Sequence, residues 1–163
     1  MEHVRIDEVE GETHPGGAFT DRRPLSAALA TTDVAINRYE LAPGEAFSGG
    51  LHTHYDQEEV FYVVEGTATF RTTDAPGGER EEVAVSAGET IRFAPGEYQR
   101  GRNETDEPVV ALAIGAPGTG HNWARIESLA DCPGCGRETA HDLDSTDGGF
   151  RLTCTKCDRE RVV

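Results

Sequence analysis

The sequence predicts an all-β fold, a sandwich or barrel of short strands, followed by a small cysteine-bearing C-terminal unit. Three observations carry that prediction. Between residues 20 and 115, short runs rich in β-branched and aromatic residues alternate with Gly and Pro turns. No stretch there repeats its apolar residues at the period of an amphipathic helix. All four cysteines fall within the last 32 residues.

Taken in order, residues 1–19 are polar and broken by Pro15-Gly16-Gly17; they read as an edge strand around Val4 and Ile6 with an irregular lead-in. The barrel, residues 20–115, takes its strands from Val34–Leu41, Glu59–Glu65, Thr67–Thr72, Glu82–Val85, Thr90–Phe93, Tyr98–Arg102 and Val109–Ile114. Turns fall at Pro43-Gly44, Pro76-Gly77-Gly78, Ala87-Gly88 and Pro95-Gly96. Residues 116–130 read as a linker in which Trp123, Ile126 and Leu129 pack the tail back onto the barrel. In residues 131–163, Glu138–Leu143 and Phe150–Thr153 read as two strands joined by a turn from Ser145 to Gly149.

A chain of 163 residues can bury one core and carry one small appendage. The longest apolar run, Val109–Ile114, is too short to span a membrane. The N-terminus is acidic and has no apolar signal region, so a cytoplasmic location is expected. The net charge of −15 is built from thirty acidic residues against fourteen arginines and one lysine, Lys156. Such a surface repels nucleic acid and anionic membrane, and its self-repulsion needs salt to screen it. The near absence of lysine resembles proteins of a salt-accumulating, haloarchaeal-type cytoplasm; an ordinary acidic protein is the alternative.

The chemistry centres on His52-Thr53-His54. In a strand, residues i and i+2 point to the same face about 7 Å apart, so both imidazoles can aim at one point. Glu59 follows after an odd interval, which requires a bend, and Tyr55-Asp56-Gln57-Glu58 is polar enough to form it. The next strand puts Glu59, Phe61 and Val63 on one face and Val60, Tyr62 and Val64 on the other. Apolar residues on both faces suggest a strand covered on both sides. Two imidazoles and a carboxylate with open positions hold Fe(II), Mn(II) or similar ions. A lone His-x-His, by contrast, more often lies on a polar rim and binds nothing.

The pattern His52-x-His54-x4-Glu59-x6-Gly66, followed by Gly88, Pro95, Gly96, Gln99 and Asn103, resembles the two motifs of the cupin superfamily over about residues 20–115. The resemblance implies a double-stranded β-helix barrel and a divalent ion (Fe, Mn, Ni or Zn) held by His52, His54 and Glu59. It also implies oxygenase or isomerase-type chemistry on a small organic ligand, and a homodimer. This chain departs from the family pattern in three places: Ala46 replaces the leading glycine, the proline is shifted to Pro95, and Gln99 stands where the fourth ligand is a histidine. Gln99 can bind weakly through oxygen, hydrogen-bond a water or ligand at the ion, or mark a site without metal. The six-residue interval to Gly66 selects Glu59 over Glu58 as the carboxylate. Strand parity puts Gln99, Gly101 and Asn103 inward and turns Arg100 and Arg102 away, leaving the pocket without a cationic clamp, which argues against a sugar-phosphate substrate. Phe61, Val63, Phe93 and Tyr98 are the expected apolar pocket walls, with plain barrel core as the alternative.

Cys132-x2-Cys135 and Cys154-x2-Cys157 have the spacing of a four-thiolate structural zinc site, and the segment resembles a zinc ribbon. Four thiolates complete the tetrahedron, so this zinc would be structural. Residues 131–163 carry a net charge of −2, which favours docking onto the barrel or a protein partner over DNA. His3, His14, His121 and His141 lack ligand spacing and read as polar surface. Two functional readings stand: a metal-dependent enzyme, and a non-catalytic ligand-binding or regulatory module whose ribbon contacts a protein.

Overall fold

The computed structural model describes residues 1–146 and 148–163. The chain forms β1 (Asp21–Pro24), a short helix α1 (Leu25–Leu29), β2 (Ala35–Leu41), β3 (His52–His54), β4 (Glu58–Glu65), β5 (Thr67–Thr73), β6 (Glu81–Ser86), β7 (Thr90–Phe93), β8 (Tyr98–Arg102) and β9 (Val109–Ala116). It continues through β10 (Ile126–Cys132), β11 (Arg137–Thr146), β12 (Gly149–Cys154) and β13 (Glu160–Val162). Among the described residues these make a five-stranded sheet in the order β1-β2-β9-β4-β7 and an eight-stranded sheet in the order β13-β12-β11-β10-β3-β8-β5-β6. All pairings are antiparallel. The fold is the all-β double-stranded β-helix that the sequence predicts, with a small four-cysteine unit at its C-terminal end.

The core lies between the two sheets. Phe47, Phe61, Phe70 and Phe93 pack there with Leu41, Val63 and Val109, and the ring centroids of Phe61 and Phe70 are 4.9 Å apart. Gly101 on β8 faces the core under Phe47 and Phe70; a Cβ there would sit 2.5 Å from the Phe70 ring, so the position admits no side chain. Asn103 is fully buried and structural: its amide donates to Leu41 O and Glu107 O, and its Oδ1 accepts from the Thr105 amide and hydroxyl. Gly66 closes the β4–β5 turn at φ +76, with the Pro108 carbonyl 2.5 Å from where a Cβ would lie. Gly66→Ala combines a disfavoured φ with a backbone clash and is expected to destabilise the chain by about 1 kcal/mol or more, read as a lowered denaturant midpoint at unchanged slope.

Four expectations need correction. The N-terminal edge strand at Val4 and Ile6 is instead a single 3-10 turn, Ile6–Glu8; ion pairs from Arg5 to Asp7 and Glu8 favour that local turn, and pairing begins only at the Glu12–Arg22 bridge. The helix α1 was not expected, because five residues are too few to show a period; burial of Leu25 and Ser26 and a left-handed Ala30 at its end define it. β4 is not covered on both sides: Phe61 and Val63 are buried, but Tyr62 and Val64 are each 41% exposed, as suits an antiparallel sheet with one face to the core.

The fourth correction matters most for the site. Residues 126–130, read as linker, form most of β10, and β10 pairs directly with β3: Ile126 opposes His54 and Ser128 opposes His52. β3 is three residues long, and its edge away from β8 would otherwise leave backbone groups unpaired. β10 satisfies them, helped by Leu129 N to Leu51 O at 2.8 Å and Ser128 Oγ to Leu51 O at 3.0 Å. Glu127 accepts from the Tyr55 and Tyr98 hydroxyls, both at 2.8 Å, and Arg80 grips Glu138 on β11 at 2.6 Å. The cysteine-bearing unit therefore continues the barrel sheet. Of the predicted turn Ser145–Gly149, Asp147 lies outside the described residues. No helix of the described residues is long and apolar enough to cross a membrane.

Candidate metal centres

His52 and His54 come from β3, Glu59 from β4 in the facing sheet, and Gln99 from β8, where it pairs across from His52. Period-two geometry aims both imidazoles inward, the bend after Tyr55 brings Glu59 alongside, and ligand atoms of the three residues lie within 4.8 Å of one another. Glu58 faces outward onto Arg92, at 2.6 Å, which leaves Glu59 as the inward carboxylate.

Hydrogen bonds orient the group. His52 Nδ1 donates to Gly50 O at 3.2 Å, since a carbonyl can only accept, and this leaves Nε2 with its lone pair toward the centre. The Gln99 amide donates to Glu59 Oε2 at 2.8 Å and lies 3.4 Å from His52 Nε2. His54 Nε2 sits 3.8 Å from Glu59 Oε2. His54 Nε2 and Gln99 Oε1 are buried with no hydrogen-bond partner. A divalent ion bound at about 2.0–2.2 Å to each donor needs donor separations of about 3–4 Å; His54 and Glu59 meet this at 3.8 Å, and an ion among the three residues would satisfy the orphaned imidazole nitrogen. The Gln99 amide turned over would present Oε1 in place of its N–H.

Burial dominates the electrostatics. It raises the Glu59 carboxyl to about 7, against a smaller lowering by the Gln99 hydrogen bond. His52 is lowered to about 4 by burial and then by neighbouring His54, and His54 to about 4 by burial and then by His121. Both imidazoles are therefore neutral, the ligand form, at neutral pH.

A cavity of about 550 Å³ opens from this group. Its floor carries His52, Glu59, Gln99 and Phe61; its walls come from the N-terminal segment (His14, Arg22) and from the C-terminal unit (Phe150, Arg161). Of the expected wall residues only Phe61 is placed here. Val63 and Phe93 are sealed in the core, and Tyr98 lies on the opposite face of β8 from Gln99, packed against Leu129 and Ala140. The parity that turns Gln99 inward must turn Tyr98 outward, where burial and the Glu127 contact push its phenol pKa up.

Three side chains at this site carry no sequence signal. His121 stacks on His54 with centroids 5.2 Å apart and planes at 19°, and burial and nearby His52 lower its pKa. His14 packs against Phe19 and Phe150. Arg22 lines the cavity while paired with Glu12, so a cation is present after all, supplied from outside β8. All three are remote in sequence, and only the docking of both chain ends brings them here. His141, expected on the surface, is 2% exposed between β10 and β12, its Nδ1 donating to Thr139 O.

At the other centre, the four cysteine sulfurs lie within 4.8 Å of one another, Cys132–Cys157 at 3.5 Å and Cys135–Cys154 at 3.9 Å. A tetrahedron with zinc–sulfur bonds of about 2.3 Å has edges of about 3.8 Å, so the cluster fits zinc, and these distances are far too long for disulfides. The Thr139 hydroxyl at 3.3 Å, then backbone amides, lower the Cys154 thiol to about 5. Contact with Cys157 raises Cys135 to about 12.

Residues 37–115 match the family described as Cupin domain. No curated protein matches the sequence significantly. Among solved structures, a sugar phosphate isomerase of a cupin superfamily from Silicibacter pomeroyi is 21% identical with TM-score 0.59, covering 99% of this chain and 91% of that one. A candidate sugar phosphate isomerase from Acidithiobacillus ferrooxidans is 21% identical with TM-score 0.64, covering 94% and 90%. An oxalate decarboxylase structure is 20% identical with TM-score 0.59, covering 76% of this chain and 31% of that one. These likenesses show the fold, and residues 37–115 are the part of this chain that is similar to the Cupin domain family.

Proposed function

We propose that this chain is a metal-binding cupin protein in which His52, His54 and Glu59 hold a divalent ion (Fe, Mn, Ni or Zn) beneath the cavity, with metal-dependent oxygenase or isomerase-type chemistry on a small organic molecule. The observation that carries the reading is the buried His54 Nε2 with no partner, in a cluster with His52 and Glu59 whose ligand atoms lie within 4.8 Å of one another. The ion would supply Lewis acidity toward a ligand oxygen. The chain's own residues do the rest: Gly50 fixes the His52 tautomer, the Gln99 amide orients Glu59, and Phe61 and Phe150 give the cavity apolar walls. The four cysteines would hold a structural zinc, and a small-molecule ligand and a homodimer belong to the same reading.

A second reading rests on Gln99. Its amide N–H reaches both Glu59 and His52, which satisfies those acceptors as a cation would and suits a non-catalytic ligand-binding module. Gln99→His separates the two. Imidazole is the stronger donor for these metals, so metal retention under a chelator is expected to rise by about tenfold or more. Unchanged retention would favour the non-catalytic reading.

A further inference from the structure

Beside the barrel cavity, a smaller cavity of about 290 Å³ gathers four arginines: Arg71 on β5 and Arg100 and Arg102 on β8, from the outer face of the eight-stranded sheet, and Arg161 on β13, which also lines the larger cavity. In a chain of net charge −15 this concentration of cations is against the local trend. Arg71 and Arg100 are direct cross-strand partners, and Arg102 follows Arg100 by two residues on the same face. Like charges placed opposite one another are destabilising unless something neutralises them. Two carboxylates also line the cavity: Glu82, paired with Arg71, and Glu104, 3.9 Å from Arg102. Four guanidinium groups against two carboxylates leave a formal charge of +2.

The Nε atoms of Arg100 and Arg102 are buried and have no hydrogen-bond partner. A buried donor on a charged group left unsatisfied is expensive, and a planar guanidinium fork matches the paired oxygens of a phosphate. Burial, and then the neighbouring Arg102 and Arg71, depress the Arg100 pKa, the direction expected of a buried cation crowded by two others. A space of about 290 Å³ admits a small ligand.

We propose that Arg71, Arg100, Arg102 and Arg161 form a binding site for a small dianion of the phosphate monoester class. The site is separate from the barrel centre, because Arg100 and Gln99 lie on opposite faces of β8. It shares Gly49, Gly50, Leu129, Ala130 and Arg161 with the wall of the larger cavity. Arg161 belongs to the C-terminal unit and the other three arginines to the barrel, so a dianion held among them clamps the two together beside the ligand cavity. The proposal does not depend on metal in the barrel.

Thermal unfolding and calorimetric titration of the full chain with inorganic phosphate at pH 8, at ionic strength held constant with potassium chloride, test it. Wild type should bind phosphate and gain several degrees in Tm that chloride alone does not give. Arg100→Gln and Arg102→Gln should each weaken phosphate binding by about tenfold or more, while their Tm without phosphate stays level or rises because repulsion is relieved. Arg38→Gln, on the other sheet, should bind like wild type. The proposal is overturned if wild type shows no phosphate-specific gain, if the variants keep it, or if Arg100→Gln lowers Tm in phosphate-free solution, which would mark the cluster as structural.

Discussion

Cys154→Ser is expected to unfold more than the cysteine unit: it should also expose the strand that carries the barrel histidines. A structural zinc site of four thiolates contributes about 10–16 kcal/mol of apparent binding energy that appears as folding energy. The apolar residues around β10–β13, chiefly Leu129, Ala140 and Leu152, form too small a cluster to replace it. β10 lies between β11 and β3, so once β11 and β12 are lost it holds β3 without support on its other edge. Hydrogen exchange should therefore rise by orders of magnitude across residues 137–162, and also in peptides covering His52–His54 and Ile126–Ser128, while the β4–β9 pairing stays protected. A ribbon that was a mere appendage would leave exchange at His52–His54 unchanged.

The second large effect is the pH dependence of metal affinity in the barrel. An ion needs the Glu59 carboxylate, and burial holds that group at about 7 in the metal-free protein, above its ordinary 4.5. Affinity should then fall by about tenfold per pH unit below 7, reaching about 100-fold, or about 2.7 kcal/mol, at pH 5. His52 and His54, both lowered to about 4, are already neutral through that range and add no further protons until the pH nears 4. A solvent-exposed set would behave differently, losing affinity with two protons around the ordinary histidine value of about 6.5. Chelator-competition titrations with Mn(II) or Zn(II) between pH 5 and 8 distinguish a slope of one from a slope of two. The same shift acts on stability: with its folded pKa raised, metal-free Glu59 favours the fold at pH below 4.5, and that contribution is lost as pH rises through about 7. Metal should therefore stabilise the chain most above pH 7.

Local patterns made the candidate ligands legible. His52, His54 and Glu59 fall within eight residues, and period-two geometry with one bend is enough to converge them. The cysteine pairs are equally local. What escaped the sequence depends on partners far along the chain. Residues 126–130 read as linker because nothing in Ile126–Ala130 shows that the edge of β3 lies uncovered. His141 looks polar until β10 and β12 close over it. His14, His121 and Arg22 reach the cavity only because both ends of the chain fold across its mouth. Tyr98 is a different case: aromatic content suggested a pocket wall, while parity with Gln99 already required the opposite face.

The most direct test is metal content per chain for wild type, His52→Ala and Cys132→Ser, each purified in high salt with metal supplied. Two ions per chain in wild type, with His52→Ala losing the barrel ion and keeping zinc, and Cys132→Ser losing zinc, is the predicted result. One zinc per chain in wild type, retained in His52→Ala, would contradict the account.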